Sequence, residues 1–179
     1  MSGDGDGTQF TLLGGTGGVG PQGLTQRYAY PDDLRSWWVR GNMITSLDGG
    51  ATAGGKSGDL GGAGDRVVFA ALRELADVIV VGAETARVEN YSGVQLGAAE
   101  RLARQRRGQS EIPPIAVLTR SGQLDRDAKL LHRTEVPPLI LTSSDAVDAT
   151  RRRLGSLAEV VDASGAQHDS VDLRLALGL

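Results

Sequence analysis

The pattern G-x-x-x-x-G-K-S, typical of loops that wrap nucleotide phosphates with backbone N–H groups, occurs at Gly50–Ser57. In such a loop the lysine contacts the phosphates, and the lysine and serine begin a helix. Here four glycines follow between positions 58 and 64, and each costs ~1 kcal/mol inside a helix. Asp162 is the candidate for a magnesium-binding acid. A P-loop NTPase or kinase is therefore an alternative function rather than the favoured one.

A second glycine pattern, G-x-G-x-x-G at Gly15–Gly20, follows the apolar run 10–13. A dinucleotide site of this type needs a strand before the glycines and a long helix after them. Pro21, Gly23 and Pro31 follow instead, so no long helix with an apolar face is expected. Because nine of the first 27 residues are glycine, we predict a flexible tail over residues 1–27, with regular elements beginning at Tyr28.

A third set of motifs is spread along the chain in a fixed order. It consists of Ser46–Gly49 (S-L-D-G), Gly55–Ser57, Leu72–Arg73, Gly82–Thr85 and Glu89–Asn90. Gly82 ends an apolar run typical of a buried parallel strand, and Thr119–Ser121 ends the next such run. Backbone N–H groups at the carboxyl ends of parallel strands bind phosphates in α/β folds, so both strand ends are candidate nucleotide contacts.

These motifs resemble the reductase domain of riboflavin biosynthesis, the C-terminal half of bifunctional deaminase/reductase proteins, which has a dihydrofolate reductase-like fold. The resemblance covers roughly residues 37–92, and the later strands fit to the end of the chain. It implies an NADPH-dependent oxidoreductase that reduces a ribosylamino-pyrimidine phosphate. The hydride would pass from the nicotinamide to the ribosyl C1′ of the ring-opened imine and give the ribitylamino compound.

The resemblance also implies roles for individual residues. Ser57 and Arg73 would bind substrate, and Asp48 is the candidate for orientation or proton supply. Arg120 would pair with the 2′-phosphate and select NADPH over NADH. The implied cofactor-binding residues are Ile44, Asp59, Gly82, Thr85, Glu89, Arg120 and Ser121. Simpler interpretations stay open: Thr85 as a helix cap, Arg120 as a solvated loop residue and Asp48 as a turn residue.

The chain departs from the family pattern in three places. The family's substrate-binding arginine has no counterpart in Tyr91–Gln95, and Asp59 replaces an aromatic residue. The family also continues into a strand ending E-G-G-x-x-L, so we expect this chain to be C-terminally incomplete. Two further alternatives therefore stay open: a reductase of a related pterin such as dihydrofolate, and a catalytically dead nucleotide-binding or oligomerisation module.

The elements that would position these residues follow from hydrophobic patterning. Predicted strands are Trp37–Ser46, Asp77–Gly82, Pro114–Thr119, Pro138–Thr142 and Glu159–Asp162. Predicted helices are Asp65–Ala76, Gln95–Arg107, one starting at Ser144, and Ser170–Leu177. This alternation predicts an α/β fold, a mainly parallel sheet with helices on both faces. We assign residues 28–179 to the reductase domain.

Composition narrows the classes of protein. The absence of cysteine excludes disulfides, thiolate zinc sites and thiol nucleophiles. The two histidines, His132 and His168, lie in no recognisable motif and are interpreted as surface residues. A net charge of −3 argues against nucleic acid, and no apolar run approaches the ~20 residues that span a bilayer. We expect a cytoplasmic homodimer that acts on a small molecule, without a metal or membrane partner.

Overall fold

Residues 8–15 and 17–177, apart from the side chain of Gln22, are described by the computed structural model. The chain divides into two units, Met1–Ala76 and Asp77–Leu179. These units are defined by the contacts within each of them. The predicted division into a tail (1–27) and a reductase domain (28–179) is based on composition and the family resemblance, and it stays a prediction. None of the described helices is long and apolar enough to cross a membrane.

The first unit is built around one long helix. Strands β1 (Phe10–Thr11) and β2 (Gly18–Val19) pair antiparallel, and helix α1 (Pro21–Arg27) follows with proline at its start. A 3₁₀ turn at Gly58–Leu60 precedes helix α2 (Ala63–Leu75), close to the predicted Asp65–Ala76. The small core contains the buried residues Val19, Leu24 and Ala71, with Phe10, Leu12, Tyr28, Val67 and Val68 packed against them.

Two predictions about this unit are wrong. Regular elements begin before Tyr28, because apolar side chains of β1, β2 and α1 are buried against α2. The predicted strand Trp37–Ser46 is not formed, since no described residue pairs with it in a ladder and a strand needs such a partner. Instead Trp37, Trp38 and Met43 expose their side chains.

The second unit contains the parallel sheet. Its strands are β3 (Ile79–Gly82), β4 (Ile115–Thr119), β5 (Leu139–Thr142) and β6 (Glu159–Asp162). They lie side by side in chain order, and every neighbouring pair is parallel. All four match predicted strands. The runs that form β4 and β5 are the most apolar, as is typical of strands buried on both faces.

Four described α-helices lie between these strands, and a fifth follows the last strand. They are α3 (Ala83–Val88), α4 (Ala98–Arg106), α5 (Lys129–His132), α6 (Ser144–Leu154) and α7 (Leu173–Leu177). Helices α4, α6 and α7 were predicted, whereas α3 and α5 were not. His132 and His168 are exposed, as predicted.

Both faces of the central strands β4 and β5 are covered, whereas Val80 of β3 is exposed. Val117 and Ile140 point to one face, where Val147 and Leu154 of α6 pack on them. Ala116 and Leu141 point to the other face, where Ala176 of α7 packs. Burying an aliphatic side chain of this size stabilises the fold by roughly 1.5–3 kcal/mol. The predicted α/β class, with a parallel sheet and helices on both faces, is confirmed.

One arginine is part of the interior. Arg104 of α4 is completely buried, and its Nε donates a hydrogen bond of 2.7 Å to the carbonyl of Ser110. The N–H of Gln109 donates in turn to the carbonyl of Arg104 at 3.0 Å. These bonds fix the turn that leads from α4 into β4.

A glycine is required where the loop after β4 meets α6. Gly122 is buried with φ +63°, and a Cβ added there would lie 1.9 Å from Oγ1 of Thr150. Its carbonyl accepts a hydrogen bond from Arg153. Only glycine combines this left-handed backbone with so close an approach.

We predict that Gly122→Ala strongly destabilises the protein. The left-handed backbone costs an alanine about 1–2 kcal/mol, and the contact with Thr150 adds about 1–3 kcal/mol of overpacking. Gly108→Ala is the matched control, because its φ is +77° but nothing lies within 4 Å of an added Cβ. Urea unfolding of both variants measures the difference. Equal losses would show that Thr150 moves aside.

Candidate functional site

The carboxyl edge of the sheet brings together four of the ten predicted site residues, Gly82, Thr85, Arg120 and Ser121. Gly82 pairs with Leu118, so the chain leaves β3 and β4 at the same level of this edge. Thr85 lies in the first turn of α3, which starts directly after Gly82, and Arg120 follows the end of β4. The predicted turn at Gly82–Thr85 is therefore the start of a helix. Glu89 lies at the other end of α3, where its N–H donates to the carbonyl of Thr85 at 3.0 Å.

The neighbouring strand fixes the backbone of Arg120. The carbonyl of Arg120 accepts hydrogen bonds from Oγ of Ser143 at 2.8 Å and from Oγ1 of Thr142 at 3.3 Å. Both hydroxyl-bearing residues are buried. The guanidinium of Arg120 is exposed and makes no ion pair or hydrogen bond with any described residue. A fixed backbone thus presents a free cation at the sheet edge.

The nearby N-terminus of α6 is closed by protein groups. The N–H of Ser144 donates to Oγ of Ser164 at 2.7 Å, and the N–H of Asp145 donates to the carbonyl of His168 at 3.1 Å. The N–H of Ala146 donates to the carbonyl of Ser143 at 3.0 Å. Since these donors are already used, this helix start does not offer the open N–H groups that bind phosphate elsewhere.

Asp162 is part of the same closure. Its carboxylate accepts a hydrogen bond from Oγ of Ser144 at 2.6 Å and another from the N–H of Ser164 at 2.9 Å. The Ser144 hydroxyl, followed by the Ser164 N–H, holds the pKa of Asp162 below its usual value. Asp162, the magnesium candidate of the P-loop alternative, therefore ties β6 to α6.

A shallow cavity of ≈ 250 Å³ opens beside Arg120. It is lined by Arg120, Ser121, Ser143, Asp145, Ala146 and Asp169. The Arg120 guanidinium and the exposed Ser121 hydroxyl suit the phosphate and ribose of a dinucleotide, so these two groups fit the adenosine end of a nicotinamide cofactor. Sequence reasoning missed Ser143, Asp145 and Asp169. The first two lie within three residues of the end of the apolar run 139–142, and that position was the available signal.

In the first unit, Asp48 lies in a closed turn. The N–H of Ser46 donates to the carbonyl of Gly50 at 2.9 Å, and the Ser46 hydroxyl donates to the carboxylate of Asp48. That hydroxyl and the N–H groups of Gly50 and Asp48 lower the pKa of Asp48. A carboxyl group that stays ionised is a poor proton donor near neutral pH. The geometry favours orientation over proton supply.

Neither glycine motif forms the structure its pattern suggested. Ala53 and Lys56 exchange backbone hydrogen bonds of 2.9 and 3.0 Å around Gly54 and Gly55, whose φ values are +57° and +83°. This is a tight hairpin turn that occupies the N–H of Lys56, and α2 begins only at Ala63. The G-x-G-x-x-G stretch contains β2, and α1 after it has only seven residues.

The other predicted residues of the first unit occupy mixed environments. Arg73 of α2 stacks on the ring of Phe69, 4.2 Å from its centroid. Ser57 is half-buried, and its carbonyl accepts the N–H of Leu60. The carboxylate of Asp59 lies over the Gly54 turn, and Ile44 is half-buried in a segment without regular structure. Within the described residues, no three acidic or histidine side chains are grouped to hold a metal ion.

Comparison with known proteins gives a family match and matches to solved structures. The profile of the RibD C-terminal domain family matches residues 37–177. Among solved structures, a pyrimidine reductase-like protein from Corynebacterium diphtheriae superposes with a TM-score of 0.63 and 32% sequence identity. The match covers 76% of this chain and 57% of that chain, so this chain spans little more than half of its relative. No curated protein sequence gives a significant match.

We predict that Ser46→Ala raises the pKa of Asp48 towards the ordinary aspartate value. The hydrogen bond from the Ser46 hydroxyl is the main contact that favours the ionised carboxylate. The lowered pKa stabilises the folded state above the pKa of the unfolded chain, and this contribution is lost as pH falls through the folded pKa. An NMR titration of the Asp48 carboxyl measures the change.

Thr45→Ala is the control, since Thr45 is exposed and makes no described hydrogen bond. An unchanged pKa of Asp48 in Ser46→Ala would mean that the turn is not held by this hydroxyl.

Proposed function

We propose a reductase function from one premise: the chain belongs to the RibD C-terminal domain family, whose profile spans residues 37–177. At the level of the family this is an oxidoreductase domain of riboflavin biosynthesis with a dihydrofolate reductase-like fold. We propose that the cofactor is NADPH and the substrate a ribosylamino-pyrimidine phosphate. The family match carries this proposal, and the free cation at the sheet edge supports it.

The cofactor would lie along the carboxyl edge of the sheet. Arg120 and Ser121 would hold its adenosine end, with the guanidinium on the 2′-phosphate, because a planar guanidinium bonds a phosphate through two N–H groups. Gly82 and Thr85, on the neighbouring strand end, would face the pyrophosphate. Glu89, at the far end of α3, would have an indirect cofactor role. When bound, the nicotinamide supplies the hydride.

For the substrate we propose Ser57 and Arg73 as binding residues, with Asp48 as an orienting anion. Ile44 and Asp59 are proposed as further cofactor-binding residues. A half-buried hydroxyl and a cation suit a phosphorylated sugar. Arg73 already stacks on Phe69, and that contact restricts its orientation. Tyr91–Gln95 lacks the family's substrate arginine, so reduction of a related pterin is the second candidate.

A direct assay separates the candidates. The whole chain is incubated with NADPH and the ribosylamino-pyrimidine phosphate, or with dihydrofolate, and NADPH absorbance is followed. Oxidation with the pyrimidine supports the proposal, and oxidation only with dihydrofolate supports the pterin alternative. NADPH binding without oxidation of either substrate would indicate a nucleotide-binding module. Thermal stabilisation by ATP–Mg²⁺ but not by NADPH would support the alternative of a P-loop NTPase or kinase.

We predict that Arg120→Ala weakens NADPH binding about 10-fold or more, since a hydrogen bond to a charged group is worth about 1.5–3 kcal/mol. NADH binding changes little, because NADH lacks the 2′-phosphate. Arg152→Ala is the matched control: it removes the same charge from an exposed position in the last turn of α6. Titration calorimetry with both nucleotides measures the effect. An equal loss for NADPH and NADH would remove the 2′-phosphate role of Arg120.

A further inference from the structure

The cavity beside Arg120 holds opposed charges. Its lining has one cation, Arg120, and two carboxylates, Asp145 and Asp169. All three side chains are exposed, and none forms an ion pair with a described residue. By contrast, Asp148 on the same helix lies 3.6 Å from Arg151. The two cavity carboxylates therefore line the same cavity as the cation without pairing with it.

Backbone bonds keep both carboxylates in this place. The N–H of Asp145 donates to the carbonyl of His168, the residue before Asp169. Oγ of Ser164 donates to the carbonyl of Ser170, the residue after Asp169, at 2.9 Å. The segment 164–170 is thus fastened to the start of α6, and Asp145 and Asp169 line one cavity as a consequence.

Each charge acts differently on the two forms of the cofactor. A carboxylate accepts a hydrogen bond from a ribose hydroxyl, the contact that favours NADH in dinucleotide-binding folds. The same carboxylate repels a 2′-phosphate, which carries about two negative charges. Arg120 attracts the phosphate and gains little from a hydroxyl. Two carboxylates and one guanidinium in one cavity therefore oppose each other in selecting the cofactor.

We infer that Asp145 and Asp169 are specificity-determining residues that reduce the preference for NADPH set by Arg120, so that this protein accepts NADH nearly as well. The inference rests on the proposed reductase function. In a solvent-exposed cavity, where water and salt screen charges, one carboxylate weakens phosphate binding by about 3-fold. Two carboxylates together offset an arginine worth about 10-fold.

The test measures Kd for NADPH and NADH on the whole chain by calorimetry at low ionic strength. Asp145→Asn and Asp169→Asn each raise the NADPH preference about 3-fold, and the double variant raises it about 10-fold, mainly through NADPH. Asp148→Asn is the control: the same change is made on the same helix at a residue that does not line the cavity. Arg120→Ala moves the preference in the opposite direction.

The possible outcomes distinguish failure of the inference on Asp145 and Asp169 from failure of the proposed reductase function. If both nucleotides bind and the preference is the same in the wild type and both cavity variants, the inference is overturned while the reductase proposal stands. A wild type that prefers NADPH by about 100-fold or more would also overturn it, because the carboxylates would then offset too little. If neither nucleotide binds any variant, the proposed function and the inference both fall.

Discussion

The hydrogen bond from the buried Ser143 hydroxyl to the carbonyl of Arg120 joins the ends of the two central strands. A buried hydroxyl that lost this partner would carry an unsatisfied polar group, at a cost of about 1–3 kcal/mol. The bond therefore fixes where the chain turns after β4, and the candidate cofactor cavity opens at that turn. The Thr142 hydroxyl donates a second hydrogen bond to the same carbonyl.

The second unit was largely predictable because its elements carry their own signals. Runs such as Ile115–Thr119 and Leu139–Thr142 are apolar without interruption, and both faces of these strands are covered. The first unit was less predictable. Trp37–Ser46 has the composition of a strand, but composition does not supply a partner strand. The glycine-rich start is ordered in part by contacts with α2, more than forty residues further along the chain.

Some residues of the candidate site could likewise be predicted from the sequence, and others could not. Gly82 and Arg120 could be predicted to lie at one edge because they stand at the ends of apolar runs, and parallel strands deliver such residues to the same edge. Asp169 could not be found, since it reaches the cavity only through the bond between His168 and the start of α6. That bond joins two backbone groups, so it does not depend on which residue types stand at these positions and cannot be predicted from them. The lowered pKa of Asp48 likewise depends on a hydroxyl contact within its turn.

Because the guanidinium of Arg104 is buried, its chemical modification would measure how often α4 opens locally. Four arginines lie between positions 101 and 107, but Arg104 is completely buried whereas Arg106 and Arg107 are exposed. A dicarbonyl reagent that modifies guanidinium groups would label the exposed pair at once. It would reach Arg104 only in molecules whose α4 has detached from the turn before β4. The ratio of labelled sites, read by mass spectrometry, would therefore give the opening equilibrium of one helix in the native protein.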